Sequence, residues 1–172
     1  METATSFADL ATMHPELEWN EIAVAAVAVL EERGFEAPFQ LHIDAAGVPG
    51  FGSETLQFSI ARDGIHAPQV ERIRRTYDAP RRIELAAIAV AGLALYHGGG
   101  HEIVDVAVRG SSADYLVGLS SNVLEIAGRS RRSDFATAWQ QKKERLEARS
   151  ARSFYLCVVE FETPAGRLEF FE

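Results

Sequence analysis

Five carboxylates stand between residues 81 and 128: Glu84, Glu102, Asp105, Asp114 and Glu125. Two of them could do chemistry together. Asp114 opens a short apolar run, Asp-Tyr-Leu-Val, and Glu125 sits inside another, Asn-Val-Leu-Glu-Ile-Ala, between Leu124 and Ile126. Side chains alternate across a strand, so Leu124 and Ile126 face one layer and Glu125 the other. If that other face is solvent, Glu125 needs no explanation. If it is covered, a buried carboxylate is costly unless it is paired, protonated or bound to a metal. Neighbouring antiparallel strands can bring Asp114 and Glu125 side by side, and converging hard oxygens are what Mg²⁺ or Mn²⁺ binds, with water completing the shell. Asp105 reads as the polar face of its own strand.

Other reactive residue types are less informative. His97 and His101 are four apart, but Gly98-Gly99-Gly100 lies between them, so helical metal spacing does not apply. The segment HGGGHE is not a phosphate loop, because no Lys-Ser/Thr follows it and a strand comes next. His14, His42 and His66 read as surface or internally satisfied histidines. Cys157, the single cysteine, lies in the apolar run YLCVV and reads as a small buried hydrophobe.

The elements that must position these groups follow from hydrophobic periodicity. Trp19, Ile22, Ala23, Ala26, Val27 and Leu30 predict a helix over 16–33 that stops at Gly34. Alternation predicts strands over 39–44 and 56–60, joined across the turn-rich 45–54 as a hairpin. Pro68 opens a short basic helix ending near Tyr77, and an Ala-rich helix follows over 81–96, apolar nearly all round and so placed against a sheet. Strands are expected over 103–108, 114–117 and 122–127, antiparallel because their connections are short. Ser133 caps a helix running to Ser150 with Phe135, Trp139 and Leu146 inward, and strands over 154–162 and 168–171 close the chain. The first dozen residues lack periodicity and read as a loose arm. The expected class is α/β: a central mixed sheet with a helix–strand–strand–strand–helix–strand core over 81–162, within a unit 81–172. An extension over 1–80, made of helix, hairpin and short helix, precedes it.

Charge is unevenly distributed. The net is −8, yet residues 1–60 carry ten acidic groups against Arg33 alone. Residues 129–152 hold Arg129, Arg131, Arg132, Lys142, Lys143, Arg145, Arg149 and Arg152 against three acids, and Arg72, Arg74, Arg75, Arg81 and Arg82 form a second island. Two basic islands could make a phosphate-binding face, or simply solvated helix surfaces. The most apolar stretch, 83–96, is shorter than the roughly 20 residues a membrane span needs. The N-terminus has no signal-like core, so the expected compartment is the cytoplasm, with no membrane partner.

The element order over 81–162, with Asp114 and Glu125 on its second and third strands, resembles the restriction-endonuclease-like, or PD-(D/E)XK, nuclease superfamily. That resemblance implies Mg²⁺ or Mn²⁺ held by Asp114 and Glu125, with Glu84 from the preceding helix in support. It also implies that Gln140 or Gln141, with a lysine, serves the scissile phosphate. One position departs from the family pattern. The third strand reads Glu125-Ile126-Ala127, so alanine stands where the family places its lysine. Lys142 or Lys143 on the following helix could substitute, and Lys143 with Gln141 is the pair expected to be catalytic. Arg129, Arg131, Arg132, Lys142 and Arg145 are the expected nucleic-acid contacts.

Three readings follow. The leading one is a nuclease-like subunit with a depleted metal site that binds DNA, RNA or a protein partner in a larger assembly, for example in defence against foreign DNA. The second is an active metal-dependent nuclease. The third is an unrelated α/β domain whose carboxylates face water.

Overall fold

The structure, a computed structural model, describes residues 2–107, 114–118, 122–149 and 152–172. Among these, eight strands form one mixed sheet. They are β1 (Glu2–Ser6), β2 (Phe39–Asp44), β3 (Thr55–Ala61), β4 (Ile103–Val106), β5 (Tyr115–Val117), β6 (Asn122–Arg129), β7 (Phe154–Glu160) and β8 (Ala165–Phe171). Their order is β1-β3-β2-β8-β7-β6-β5-β4. The pairs β1/β3, β2/β8 and β6/β7 are parallel and the others antiparallel. The helices are α1 (Leu10–Met13), α2 (Asn20–Glu32), α3 (Ala67–Thr76), α4 (Ala79–Gly99) and α5 (Phe135–Arg149). The α/β class and the order helix, three antiparallel strands, helix, strand over α4 to β7 follow the sequence expectation; the structure adds that β7 runs parallel to β6.

The two faces of the sheet are covered differently. On one, α2 and α4 lie side by side, and their alanines (Ala23, Ala25, Ala26, Ala28; Ala86, Ala87, Ala89, Ala91, Ala94) are buried. Small side chains let two helices and a sheet approach closely, and alanine costs little as helix. Leu124, Ile126, Tyr155, Cys157 and Val159 point into this core, which also takes in Leu41, Ile43, Phe58 and Ile60 from the N-terminal strands. One core therefore spans both the expected extension, 1–80, and the expected unit 81–172. On the other face α5 packs Ala138, Trp139 and Leu146 on Ala127, Phe154, Leu156 and Val158. Beyond α5 that face is open: Gln40, His42, Asp44, Thr55 and Gln57 are exposed.

Three expectations need correction. The N-terminal arm is ordered structure: β1 adds to β3 in parallel, Ser6 and Asp9 form a reciprocal capping box, and Phe7 and Leu10 are fully buried. Helix α2 starts at Asn20, four residues after the expected Glu16. Helix α4 runs through His97, Gly98 and Gly99 and ends at Gly100, whose φ of 67° suits glycine. Phe51 of the β2–β3 loop packs on the helical Gly98 and Gly99, which leaves no room for a side chain: a Cβ at Gly98 would meet its ring at 2.2 Å. The expected strand end at Val108, the turns over 109–113 and 119–121, and the expected helix end at Ser150 lie outside the described residues.

Candidate functional site

The register of β5 on β6 runs from Val117–Asn122 to Tyr115–Leu124, and Asp114, the residue before β5, reaches β6 through its own amide and carboxylate. The Asp114 amide donates to the Leu124 carbonyl at 2.9 Å, and its Oδ2 accepts from the Ile126 amide at 2.9 Å. Asp114 thus closes the ladder at the point where β5 begins. Beyond it, Ala127, Gly128 and Arg129 of β6 have no neighbouring strand on that side among the described residues.

A cleft of about 450 Å³ opens there. Its floor is Ile126 to Arg129 of β6; Arg81, Glu84 and Ile88 of α4 form one wall, and Lys142 of α5 rises from the other. Asp114, Tyr115 and Val106 close the end.

Glu125 lies just behind the cleft and is only 1% exposed. Its Oε1 accepts from both the Lys142 ammonium and the Arg145 guanidinium. Burial pushes the Glu125 carboxyl above its ordinary value; the Lys142 hydrogen bond acts against this, and the nearby charge of Asp114 adds to it. A carboxylate so enclosed is tolerable because two cations offset its lost hydration. The open alternative of a solvated Glu125 face is therefore closed: α5 covers it.

The expected site residues divide between two places. Asp114, Glu84, Arg129 and Lys142 line the cleft, with Glu125 and Arg145 beneath Lys142. Glu84 is largely exposed and pairs with Arg81 at 2.9 Å. Arg129 donates to the Gly128 carbonyl at 2.7 Å. Lys143 is directed elsewhere, with Nζ 3.9 Å from Glu147 and 5.1 Å from the Phe171 ring centre. Gln141 is exposed, and Gln140 donates to Glu144 at 2.7 Å. The lysine brought to the carboxylates is therefore Lys142, not Lys143. Its spacing from Trp139 and Leu146 puts it on the inward stripe of α5. Arg131 is exposed, and Arg132, just before α5, reaches the β7–β8 turn: its amide donates to Glu162 at 2.8 Å and its side chain to Thr163 at 3.2 Å.

Two members of the second basic island, Arg74 and Arg82, are half-buried and paired with the end of α2. Arg62 reaches Glu31 at 2.5 Å, while Arg74 and Arg82 reach Glu32 at 3.2 and 3.1 Å. These pairs tie β3, α3 and α4 to the end of α2, so the acidic N-terminal half and the basic stretch neutralise each other in part. Arg72 and Arg75 remain on the exposed side of α3.

The HGGGH segment also has a packing explanation: His97 Nε2 lies 3.1 Å from Thr5 Oγ1, and His101 stacks on Phe51 with ring centres 5.9 Å apart. Cys157 is fully buried and its thiol is pushed up to about 12, which leaves it unreactive.

The donor set does not fit a divalent metal as it stands. Among the described residues no group of three or more His, Cys, Asp or Glu is placed to hold an ion. Asp114 Oδ2 is on the Ile126 amide, Glu125 Oε1 on two cations, and Glu84 on Arg81. No protein-family model, curated protein or solved structure matches the chain. No helix among the described residues is long and apolar enough to cross a membrane.

Proposed function

We propose that this is a nuclease-like protein that binds nucleic acid through the α4–α5 cleft without cutting it. The observation that carries the reading is Glu125: the carboxylate that would hold a metal is buried and neutralised by Lys142 and Arg145. The strand order β4-β5-β6-β7, flanked by α4 and α5, supports kinship with the restriction-endonuclease-like core. The closeness of Asp114 to Glu125, whose carboxyl its charge pushes up, supports the same kinship. In this reading Lys142 and Arg129 meet phosphate oxygens, and the protein works in the cytoplasm as the binding subunit of a larger assembly, defence against foreign DNA being one setting.

The rival reading is an active Mg²⁺- or Mn²⁺-dependent nuclease. One observation favours it: Lys142 comes from the helix into the cleft that Asp114 lines, which is where a relocated lysine would be needed. Labelled single- and double-stranded DNA and RNA, incubated with Mg²⁺, Mn²⁺ or EDTA, separate the two. The expected result is retarded but intact nucleic acid, bound with a Kd of about 10⁻⁴–10⁻⁶ M that weakens steeply with salt. Metal-dependent cutting that disappears in an Asp114→Ala/Glu125→Ala double variant would establish the nuclease instead.

A further inference from the structure

A two-carboxylate metal site needs its oxygens free, and in this cleft they are engaged. Glu125 is enclosed between the sheet and α5, so water cannot neutralise it, and Lys142 and Arg145 converge on the same oxygen. The resulting cluster has the layout of an occupied cation site in which the cations are side chains. An ammonium has three donors. One of those on Lys142 goes to Glu125, while the side chain, 24% exposed, also lines the cleft. Arg129 stands on the cleft floor with one of its donors on the Gly128 carbonyl. Asp114 keeps its negative charge on the Ile126 amide, but the four cations in and beneath the cleft, Arg81, Arg129, Lys142 and Arg145, outnumber the three acids, Glu84, Asp114 and Glu125.

We infer that Lys142, anchored with Arg145 on buried Glu125, takes the place of a divalent metal, so that the cleft binds a phosphate group directly and without Mg²⁺ or Mn²⁺. The inference rests on the phosphate-binding part of the proposal above and goes beyond it in naming the cation. Glu125 is a positioning residue: it touches no phosphate, and it holds the ammonium at the cleft wall. A charged hydrogen bond to phosphate oxygen is strong and directional, so a lysine fixed in this way loses less on binding than a free surface lysine does.

The test uses the full chain, a fluorescein-labelled oligodeoxythymidylate read by anisotropy, and pyrophosphate read by calorimetry, each in EDTA and in Mg²⁺. Binding is expected to be as tight in EDTA as in Mg²⁺. Lys142→Ala should weaken both probes about tenfold, the scale of one charge-assisted hydrogen bond. It should also lower the salt slope for the oligonucleotide by about 1, while Lys142→Arg should restore most of the loss. Lys142→Ala leaves Arg145 paired with Glu125, so its fold is checked by circular dichroism. Where it does not fold, Lys142→Gln in a Glu125→Gln background, which leaves no unpaired buried carboxylate, carries the comparison. Titration of the free protein with Mn²⁺, followed by electron paramagnetic resonance, should show no stoichiometric site. Binding that appears only with Mg²⁺ or Mn²⁺ and vanishes in Asp114→Asn would overturn the inference and leave nucleic-acid binding standing. Pyrophosphate binding in EDTA that depends on Lys142, with no oligonucleotide binding, would sink the nucleic-acid reading and keep the cation site. Neither probe binding, or both binding independently of Lys142, would end the inference.

Discussion

Gly128→Ala is expected to lower stability by about 3 kcal/mol, the upper range for forcing extra atoms into a packed interior. A Cβ built at Gly128 stands 2.6 Å from the Ile83 carbonyl oxygen, 2.8 Å from Ile83 Cγ2 and 3.1 Å from Ala87 Cβ. The first of these is helix backbone, which cannot rotate away as a side-chain tip can. Relief requires α4 to lift from β6 at its N-terminal end. For a chain of this size the expected change is a fall in Tm of roughly 6–12 °C, with a lower urea midpoint at unchanged slope. Gly52→Ala is the control. A Cβ there meets nothing within 4 Å and the backbone is not left-handed, so a shift within about 0.5 kcal/mol is expected. The same displacement would move Arg81 and Glu84, which wall the cleft from α4, so phosphate binding should weaken even in the folded fraction. Equal stability of the Gly128 and Gly52 variants would show that α4 does not press on β6 as described.

That close approach explains what the sequence could and could not reveal. The strand carrying Glu125 was readable because Leu124 and Ile126 flank it, and the Ala-rich run announced a helix against a sheet. The strand over 39–44 was placed to the residue, since β2 alternates buried and exposed side chains along its length. The hairpin of β2 with β3 was readable for the same reason. What failed was non-local. β1 reads Glu-Thr-Ala-Thr-Ser, with no apolar alternation, because an edge strand is held by its backbone ladder; its partner lies some fifty residues downstream. The insertion of β8 between β2 and β7 likewise rests on pairings that no local pattern encodes.

The site was legible in outline and blurred in its details for a different reason. Expecting Asp114 near Glu125 needed only two neighbouring strands and a short connection; that Asp114 would bond the Ile126 amide at the strand's edge was not readable. Choosing between Lys142 and Lys143 needed the phase of α5. Extending the stripe Phe135, Trp139, Leu146 by helical spacing would have selected 142, since it is three residues after Trp139 and four before Leu146. The arginines were harder still. A row of like charges in sequence says nothing of the acids it meets in space, and Glu31 and Glu32 at the end of α2 take up Arg74 and Arg82 of the second island.

Acidification is expected to destabilise the protein through His14. This residue is fully buried; its Nδ1 lies 3.0 Å from the Ile103 amide and its Nε2 3.0 Å from the Gly92 carbonyl. An amide can only donate, so Nδ1 must be the bare acceptor and Nε2 must carry the proton toward Gly92. The neutral ring thereby links the segment after α1 to α4 and to the start of β4, and Trp19 donates to the His14 carbonyl at 2.9 Å. Protonation would place a second N–H against the Ile103 amide. Burial holds the His14 pKa below its ordinary value of 6.5, more strongly than the Gly92 hydrogen bond and the charge of Glu102 raise it. Between the lowered folded value and 6.5 the unfolded chain binds more protons, so stability is intact above 6.5 and is lost as pH falls below it. His97, also lowered by burial, acts in the same direction, whereas Glu125, whose pKa is raised, acts oppositely in the acid range. The informative quantity is therefore a difference between variants. His14→Leu leaves the Gly92 carbonyl and the Ile103 amide without their partner and should cost about 3 kcal/mol near neutral pH. Its urea midpoint should then fall less steeply than that of wild type between pH 7 and 5, because one of the acid-sensitive groups is gone. Parallel pH profiles for wild type and His14→Leu would mean that His14 is not the group that titrates, and would move the acid sensitivity to His97.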